Sequence, residues 1–150
     1  MRNDMISNNV TRFLESKKVP FDVFELPIEK LGAEETAELL GASVSNVYKT
    51  IVVKREKIGK SILALTPGDK EVNLKLLASV IGEKKLILPT QDEAEKITGL
   101  LAGGISPLAL LNRGFQIVID SSAITLDQIY ISGGQRGLNI RLAVVDLIDL

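Results

Sequence analysis

The stretch "IYISGGQRGLNI", residues 129–140, places two runs of alternating apolar and polar residues on either side of a glycine pair and a lone Arg136. Alternation is the period of a β-strand, and Ser132-Gly133-Gly134 is turn chemistry, so the segment reads as an antiparallel hairpin. A second pair, Gly103-Gly104, lies upstream in "TGLLAGGISP", residues 98–107. Paired glycines either make tight turns or leave bare backbone that something can approach closely. Spacing alone leaves both readings open.

Working outward, "FQIVIDSS" (115–122), "QIYIS" (128–132) and "LNIRLAVV" (138–145) are strand candidates. "YKTIVVKRE" (48–56) and "KSILALTPG" (60–68) flank a "KIG" turn and predict an antiparallel hairpin. Val10, Phe13 and Leu14 recur at helical spacing, which predicts a helix over 5–18, followed after Pro20 by a strand in "FDVFEL" (21–26). "AEETAELLG" (33–41) reads as a short helix stopped by Gly41. Asn73 caps "LKLLASVI" and Gly82 closes it. "KKLIL" is a short strand, and Thr90 with Glu93 forms a capping box opening "QDEAEKIT". No linker, repeat or low-complexity stretch interrupts the chain. The expectation is one domain over 1–150, α/β (α+β) in class, with a mixed, mostly antiparallel sheet curled toward a barrel and flanked by helices.

Composition prunes the chemistry. The apolar fraction of 45% fits a well-packed core, and the net charge of −1 argues against bulk electrostatic binding to long duplexes. It leaves room for gripping one or two phosphates at a nucleic-acid end. No apolar run approaches the roughly 18 residues that span a bilayer, and the first ten residues carry no apolar signal core, so a cytoplasmic protein with no membrane partner is expected. With no His and no Cys, a Ser-His-Asp triad, a cysteine nucleophile and an ordinary zinc site are all excluded. The acidic residues form no calcium-loop pattern, so no metal and no cofactor is expected. Catalysis, if present, rests on Lys, carboxylates, hydroxyls, backbone N–H groups or the substrate itself.

Lys49, in "NVYKTIVV", stands at the start of a strand that otherwise reads as buried. Its ammonium either rests in solvent at the strand mouth or points into a cleft to hold a phosphate or a developing oxyanion. Neither glycine stretch is a Walker loop or a dinucleotide fingerprint. Bare N–H groups there can line a small pocket and donate to a carbonyl, with Ser106 and Ser132 adding hydroxyls.

The set "VYKT", "TPG…VNLKLLA", "TGLLAGGISPL", "IVID" and "IYISGGQRGLNIRL" resembles the YbaK/EbsC family of aminoacyl-tRNA deacylases over nearly the whole chain. The resemblance implies a fold like the editing domain of bacterial prolyl-tRNA synthetase. It implies hydrolysis of the ester between an amino acid and the terminal ribose of a mischarged tRNA, with Cys-tRNA(Pro) the usual substrate. The partners it implies are the acceptor end of aminoacyl-tRNA and, through tRNA(Pro), prolyl-tRNA synthetase; it implies no oligomeric state. Carried over, Lys49 is the family's lysine, with Thr50 beside it. Gly103 and Gly104, followed by Ile105 and Ser106, are the stretch whose backbone lies against the ester. Ser132, Gly133 and Gly134 with Arg136 form a second wall. For a cysteinyl ester the implied chemistry is attack by the substrate's own thiol.

The sequence departs from the cysteine-specific pattern at Leu26, where a Tyr is usual, near Gly32, where a Phe is usual, at Leu100, and at Asn139, where an Asp is usual. Asn can hydrogen-bond a substrate but cannot serve as a carboxylate counter-ion or base. These departures keep open a deacylase specific for Ala, Ser or Thr, and a binding module without turnover. A Ser-Lys hydrolase built on Lys49 with Ser106 or Ser132 is a third reading.

Overall fold

A computed structural model describes residues 7–150. The first helix, α1 (Asn9–Ser16), begins where a reciprocal cap fixes it: Thr11 N donates to Asn8 Oδ1 at 2.9 Å, and Asn8 N donates to Thr11 Oγ1 at 2.9 Å. The helix expected over 5–18 is therefore shorter at both ends, and its residues 5–6 lie outside the described residues. Val10 and Leu14, four apart on one face, are both buried.

Two sheets follow. The first has the order β1 (Phe21–Glu25), β7 (Leu138–Ala143), β6 (Gln128–Ser132), antiparallel throughout. The second has the order β4 (Leu86–Ile87), β2 (Tyr48–Arg55), β3 (Ile62–Pro67), β5 (Gln116–Ile119). The β2–β3 and β6–β7 hairpins form as their alternation requires. The β3–β5 pair is parallel, because the chain between them travels through α3 (Leu74–Ile81), β4 and α4 (Gln91–Thr98) before returning. A parallel bridge between Val47 and Tyr130 joins the two sheets. The class is the expected α+β, and the described strands form two sheets without a closed barrel.

Two strand candidates end early. "LNIRLAVV" turns into α5 (Val144–Asp149) after Ala143, and "FQIVIDSS" stops at Ile119 because Asp120 accepts from Ser122 N and starts a 3-10 turn. The remaining helices follow their signals. Gly41 closes α2 (Ala33–Leu40) with φ +66°, Asn73 caps α3, and the Thr90–Glu93 box opens α4.

The side chains of β2 and β3 sort by parity. Tyr48, Val52, Leu63 and Leu65 face inward, where Tyr48 and Leu65 join Ile129, Ile131, Ile140, Leu142 and the buried face of α1. Val53, Ile62 and Ala64 face the other way and are covered by α3. Lys49, opposite Thr66, shares that second face.

Candidate active site

The Val47–Tyr130 bridge sets the site. Two residues further along each strand stand Lys49 and Ser132, on the same side of the joined sheets. Ser132 pairs with Asn139 across β6–β7, and Asn139 pairs with Phe24 across β7–β1. Lys49 in turn pairs with Thr66. Directly paired residues share a face, so Phe24, Asn139 and Ser132 form one row across the first sheet, and Lys49 pairs with Thr66 in the second, on the side that the Val47–Tyr130 bridge brings next to it. Thr50 has the opposite parity and is not part of the row; its Oγ1 is buried and has no hydrogen-bond partner among the described residues. Among the described residues, the Lys49 ammonium faces Glu71 Oε1 at 3.6 Å, and the Glu71 side chain is 93% exposed. Such a long, solvated contact holds the ammonium only weakly.

The two glycine stretches meet. A Cβ added at Gly104 would lie 2.8 Å from Arg136 N and from the carbonyl carbon of Gln135, so the backbones touch where no side chain fits. Arg136 Nε donates to the Ala102 carbonyl at 2.6 Å, and Ala102 N donates to Glu95 Oε2 at 2.8 Å. Asn8 Nδ2 supports the second turn from below, donating to Gly133 O at 2.9 Å. Glu95 and Asn8 carry no family signature and escaped the sequence reading. In hindsight, Glu95 is marked by its place one helical turn before Gly99, and Asn8 by its cap spacing to Thr11.

Several amides are already used. Gly104 N donates to Leu101 O, Gly133 N to Leu138 O and Gly134 N to Ser132 Oγ. The N–H of Gly103, at φ +91°, meets no acceptor among the described residues. Ser106 is fully buried, and its Oγ accepts from Leu108 N to cap a 3-10 turn, so its hydroxyl is turned to the backbone. Ile105 packs into the cluster of Val52, Leu63 and Leu110.

The segment 26–32 straps this assembly. Leu26 N donates to Gly137 O at 2.9 Å, and a Cβ at Gly137 would meet Ile28. The Lys30 Cα would stand 3.3 Å from a Cβ at Gly103, and Lys30 Nζ donates to Gln91 Oε1 at 2.5 Å. Gly32 then opens α2, whose Ala33 packs against Gly68 beyond β3. The strap thus starts beside the β6–β7 turn, passes the glycine loop and ends at β3. Leu26 and Gly32 are its two ends.

Two cavities open elsewhere. One of about 300 Å³ between α3 and the β3–β5 edge adjoins these residues only at Thr66. One of about 190 Å³ lies against α5.

The polar side chains thus lie next to touching glycine backbones. The comparisons with known proteins give the family. The family model of the aminoacyl-tRNA editing domain matches residues 29–150. The chain is 33% identical over 144 residues to EbsC of Enterococcus faecalis, covering 95% of this chain and 87% of that protein, whose name gives it provisionally as a Cys-tRNA(Pro)/Cys-tRNA(Cys) deacylase. It is 28% identical over 121 residues to the proline–tRNA ligase of Staphylococcus aureus, covering 81% of this chain and 20% of the ligase. It superimposes with a TM-score of 0.78 and 25% identity on a crystal structure provisionally named a trans-editing enzyme for prolyl-tRNA synthetase, covering 95% and 91% of the two chains.

The chain belongs to the aminoacyl-tRNA editing domain family. It is an enzyme of the deacylase class, acting on the ester that links an amino acid to tRNA. Among the described residues no helix is long and apolar enough to cross a membrane.

Proposed function

We propose that this chain edits in trans, cleaving the aminoacyl ester of mischarged tRNA(Pro), with Cys-tRNA(Pro) as the default substrate. The observation that carries the reading is Lys49 on the side of the joined sheets that bears Asn139 and Ser132, with the unspent amide of Gly103 in the loop that Arg136 ties to the β6–β7 turn. Lys49 holds the 3′-terminal phosphate or ester region, and its loose contact with Glu71 leaves it free to do so. The Gly103 N–H polarises the ester carbonyl, with the Gly104 backbone fixed behind it. Ser132 and Asn139 hydrogen-bond the aminoacyl group. A preorganised donor of this kind is worth about 10²–10³ in rate.

No side-chain nucleophile is needed for a cysteinyl ester. Its thiol, with a pKa of about 8.5, is a few per cent thiolate near neutrality. The sulfur attacks the carbonyl carbon, the ester C–O bond breaks, and the ribose oxygen leaves carrying a proton. The thiolactone that forms is then opened by water. The chain's contribution is orientation and charge stabilisation, which fits a site without His or Cys. The substrate places the protein in the cytoplasm, with prolyl-tRNA synthetase as the source of the mischarged tRNA.

The test is a panel of tRNA(Pro) charged with Cys, Ala, Ser and Thr, followed by release of free amino acid. Fastest release from Cys-tRNA(Pro), with loss of at least about a hundredfold in Lys49→Ala, is expected. Release confined to Ala, Ser or Thr charges would move the specificity and withdraw the thiol mechanism. No release from any of them would leave a binding module.

A further inference from the structure

Beyond the aminoacyl row, the same sheet face carries a second, aromatic row. Asp22, Arg141 and Tyr130 pair across β1, β7 and β6, one pleat away from Phe24, Asn139 and Ser132. The Phe24 and Tyr130 rings meet over β7 with centroids 5.5 Å apart and planes tilted by 58°. The Arg141 guanidinium carbon lies 5.3 Å from the Phe24 centroid and 5.8 Å from that of Tyr130. Asp22 Oδ2 accepts from Arg141 at 2.7 Å, and Arg141 Nη1 donates to the Tyr130 hydroxyl at 3.3 Å. The two partners fix the guanidinium plane while its side chain stays 35% exposed.

The two rings and the clamped guanidinium, all half-buried, stand on the face of these strands opposite the core. They are the groups on which unpaired bases stack. Arg141 follows Asn139 by two residues on β7, a separation of about 7 Å on the same face. That is the scale of the step from an esterified ribose oxygen to the base of its own nucleotide. Asp22 neutralises the arginine, which suits a neutral base better than a second phosphate.

Resting on the proposed function, we infer that Phe24, Tyr130 and Arg141 form a stacking platform for the unpaired 3′-terminal base of the tRNA. The platform holds the terminal nucleotide while its aminoacyl group lies over Asn139, Ser132 and Lys49. It is indifferent to the amino acid, so it contributes to KM for every charged tRNA alike.

The test pairs a binding measurement with kinetics. The trinucleotide CCA, and the same trinucleotide lacking its last base, are titrated into the full chain and followed by NMR. The chain has two tyrosines, so a Tyr48→Phe spectrum assigns the ring signals. CCA should move the Tyr130 ring protons upfield, and the abasic form should not. With charged tRNA, Tyr130→Leu should raise KM about tenfold with kcat held, and Tyr130→Phe should restore most of that loss. Equal shifts with the two trinucleotides, no shift with either, or a fall in kcat without a change in KM would each overturn the platform. The titration leaves the platform residues unaltered, so it decides the question even if Tyr130→Leu does not fold. It also requires no turnover. A chain that hydrolyses no charged tRNA yet shows the base-dependent shift would lose the proposed substrate and keep the platform.

Discussion

Ala102 is held through both of its flanking peptides: Arg136 Nε donates to its carbonyl at 2.6 Å, and Glu95 Oε2 accepts from its N–H at 2.8 Å. One partner comes from the β6–β7 turn and the other from α4, so the residue just before Gly103 is tied to two separate elements. This gives Arg136 a specific duty. Its Nε orients the glycine loop from outside, and the direction of the Gly103 amide depends on that hold.

Arg136→Lys should therefore behave like Arg136→Ala. A lysine carries the charge but has no Nε placed for the Ala102 carbonyl. We expect either change to lower kcat for deacylation about tenfold or more with little change in KM. Stability should drop by about 1–3 kcal/mol in urea unfolding, the usual cost of removing a charged donor from a part-buried acceptor. Glu95→Gln keeps an acceptor oxygen and should stay close to the parent in both measurements. An Arg136→Lys enzyme with full kcat would show that the tie is dispensable.

Much of this was legible in the sequence because local chemistry and tertiary context agree. The Thr90–Glu93 box, the Asn73 cap and the two hairpins each needed only neighbouring residues. The parallel β3–β5 pairing was not legible, since it is set by a crossover of about fifty residues and leaves no short-range mark. Val144 and Val145 look like strand residues but begin α5, because Ile140, Leu142 and Val144 complete the buried set before the chain must turn. The family motifs pointed to Lys49, Gly103, Gly104 and Ser132, and the register puts Lys49 and Ser132 on one side of the joined sheets. Ser106 and Thr50 show the limit: adjacency in a motif does not tell which face a side chain takes. Tyr130 and Arg141 lie within "IYISGGQRGLNIRL", but their partners Asp22 and Phe24 come from β1 near the other end of the chain, so no local spacing marks the cluster.

Gly104 and Gly41 provide a controlled comparison. At Gly104 the backbone is not left-handed, so the obstacle to a side chain is contact alone, with Arg136 N and Gln135 backbone atoms at 2.8 to 2.9 Å. At Gly41, φ is +66° and nothing lies within 4 Å of the added Cβ. Gly41→Ala should cost about 1 kcal/mol from backbone strain and leave deacylation unchanged. Gly104→Ala must part the two glycine walls, and should cost about 1–3 kcal/mol and most of the activity. Thermal unfolding and amino-acid release measured on both variants check the pair.

Tyr48 sets an alkaline limit. Its ring is 2% exposed, and burial pushes its pKa up, while the hydrogen bond to Ser122 at 2.7 Å and the nearby Asp120 and Asp69 carboxylates act as smaller influences. A raised folded-state value means that the unfolded chain loses this proton first. The stabilisation is thus complete below the ordinary tyrosine pKa of about 10 and falls as pH rises through the folded value. Tyr48→Phe should lose about 1 kcal/mol at pH 7 and show a flatter decline above pH ~10. Denaturant melts at pH 7 and at pH ~10.5 read both effects. An unchanged alkaline slope would assign that limit to another group.

On the proposed reading, Asn139 meets the charged end of the substrate. It stands between Phe24 and Ser132 in the row, on the side that Lys49 occupies. The amino group of an aminoacyl ester is cationic at neutral pH, and an amide oxygen offers it a hydrogen bond without a counter-charge. Asn139→Asp supplies that charge in the same volume. A hydrogen bond to a charged acceptor exceeds a neutral one by about 1 kcal/mol, which is about fivefold in affinity. KM for charged tRNA(Pro) should therefore fall about fivefold at pH 7, with kcat nearly constant. The gain should fall away as pH drops through ~4, where the new side chain takes up its proton. Because the amino group is common to every substrate, the fall should be equal for Cys, Ala, Ser and Thr charges. A gain confined to one of them would place Asn139 against the amino-acid side chain instead, making it the residue that selects the substrate.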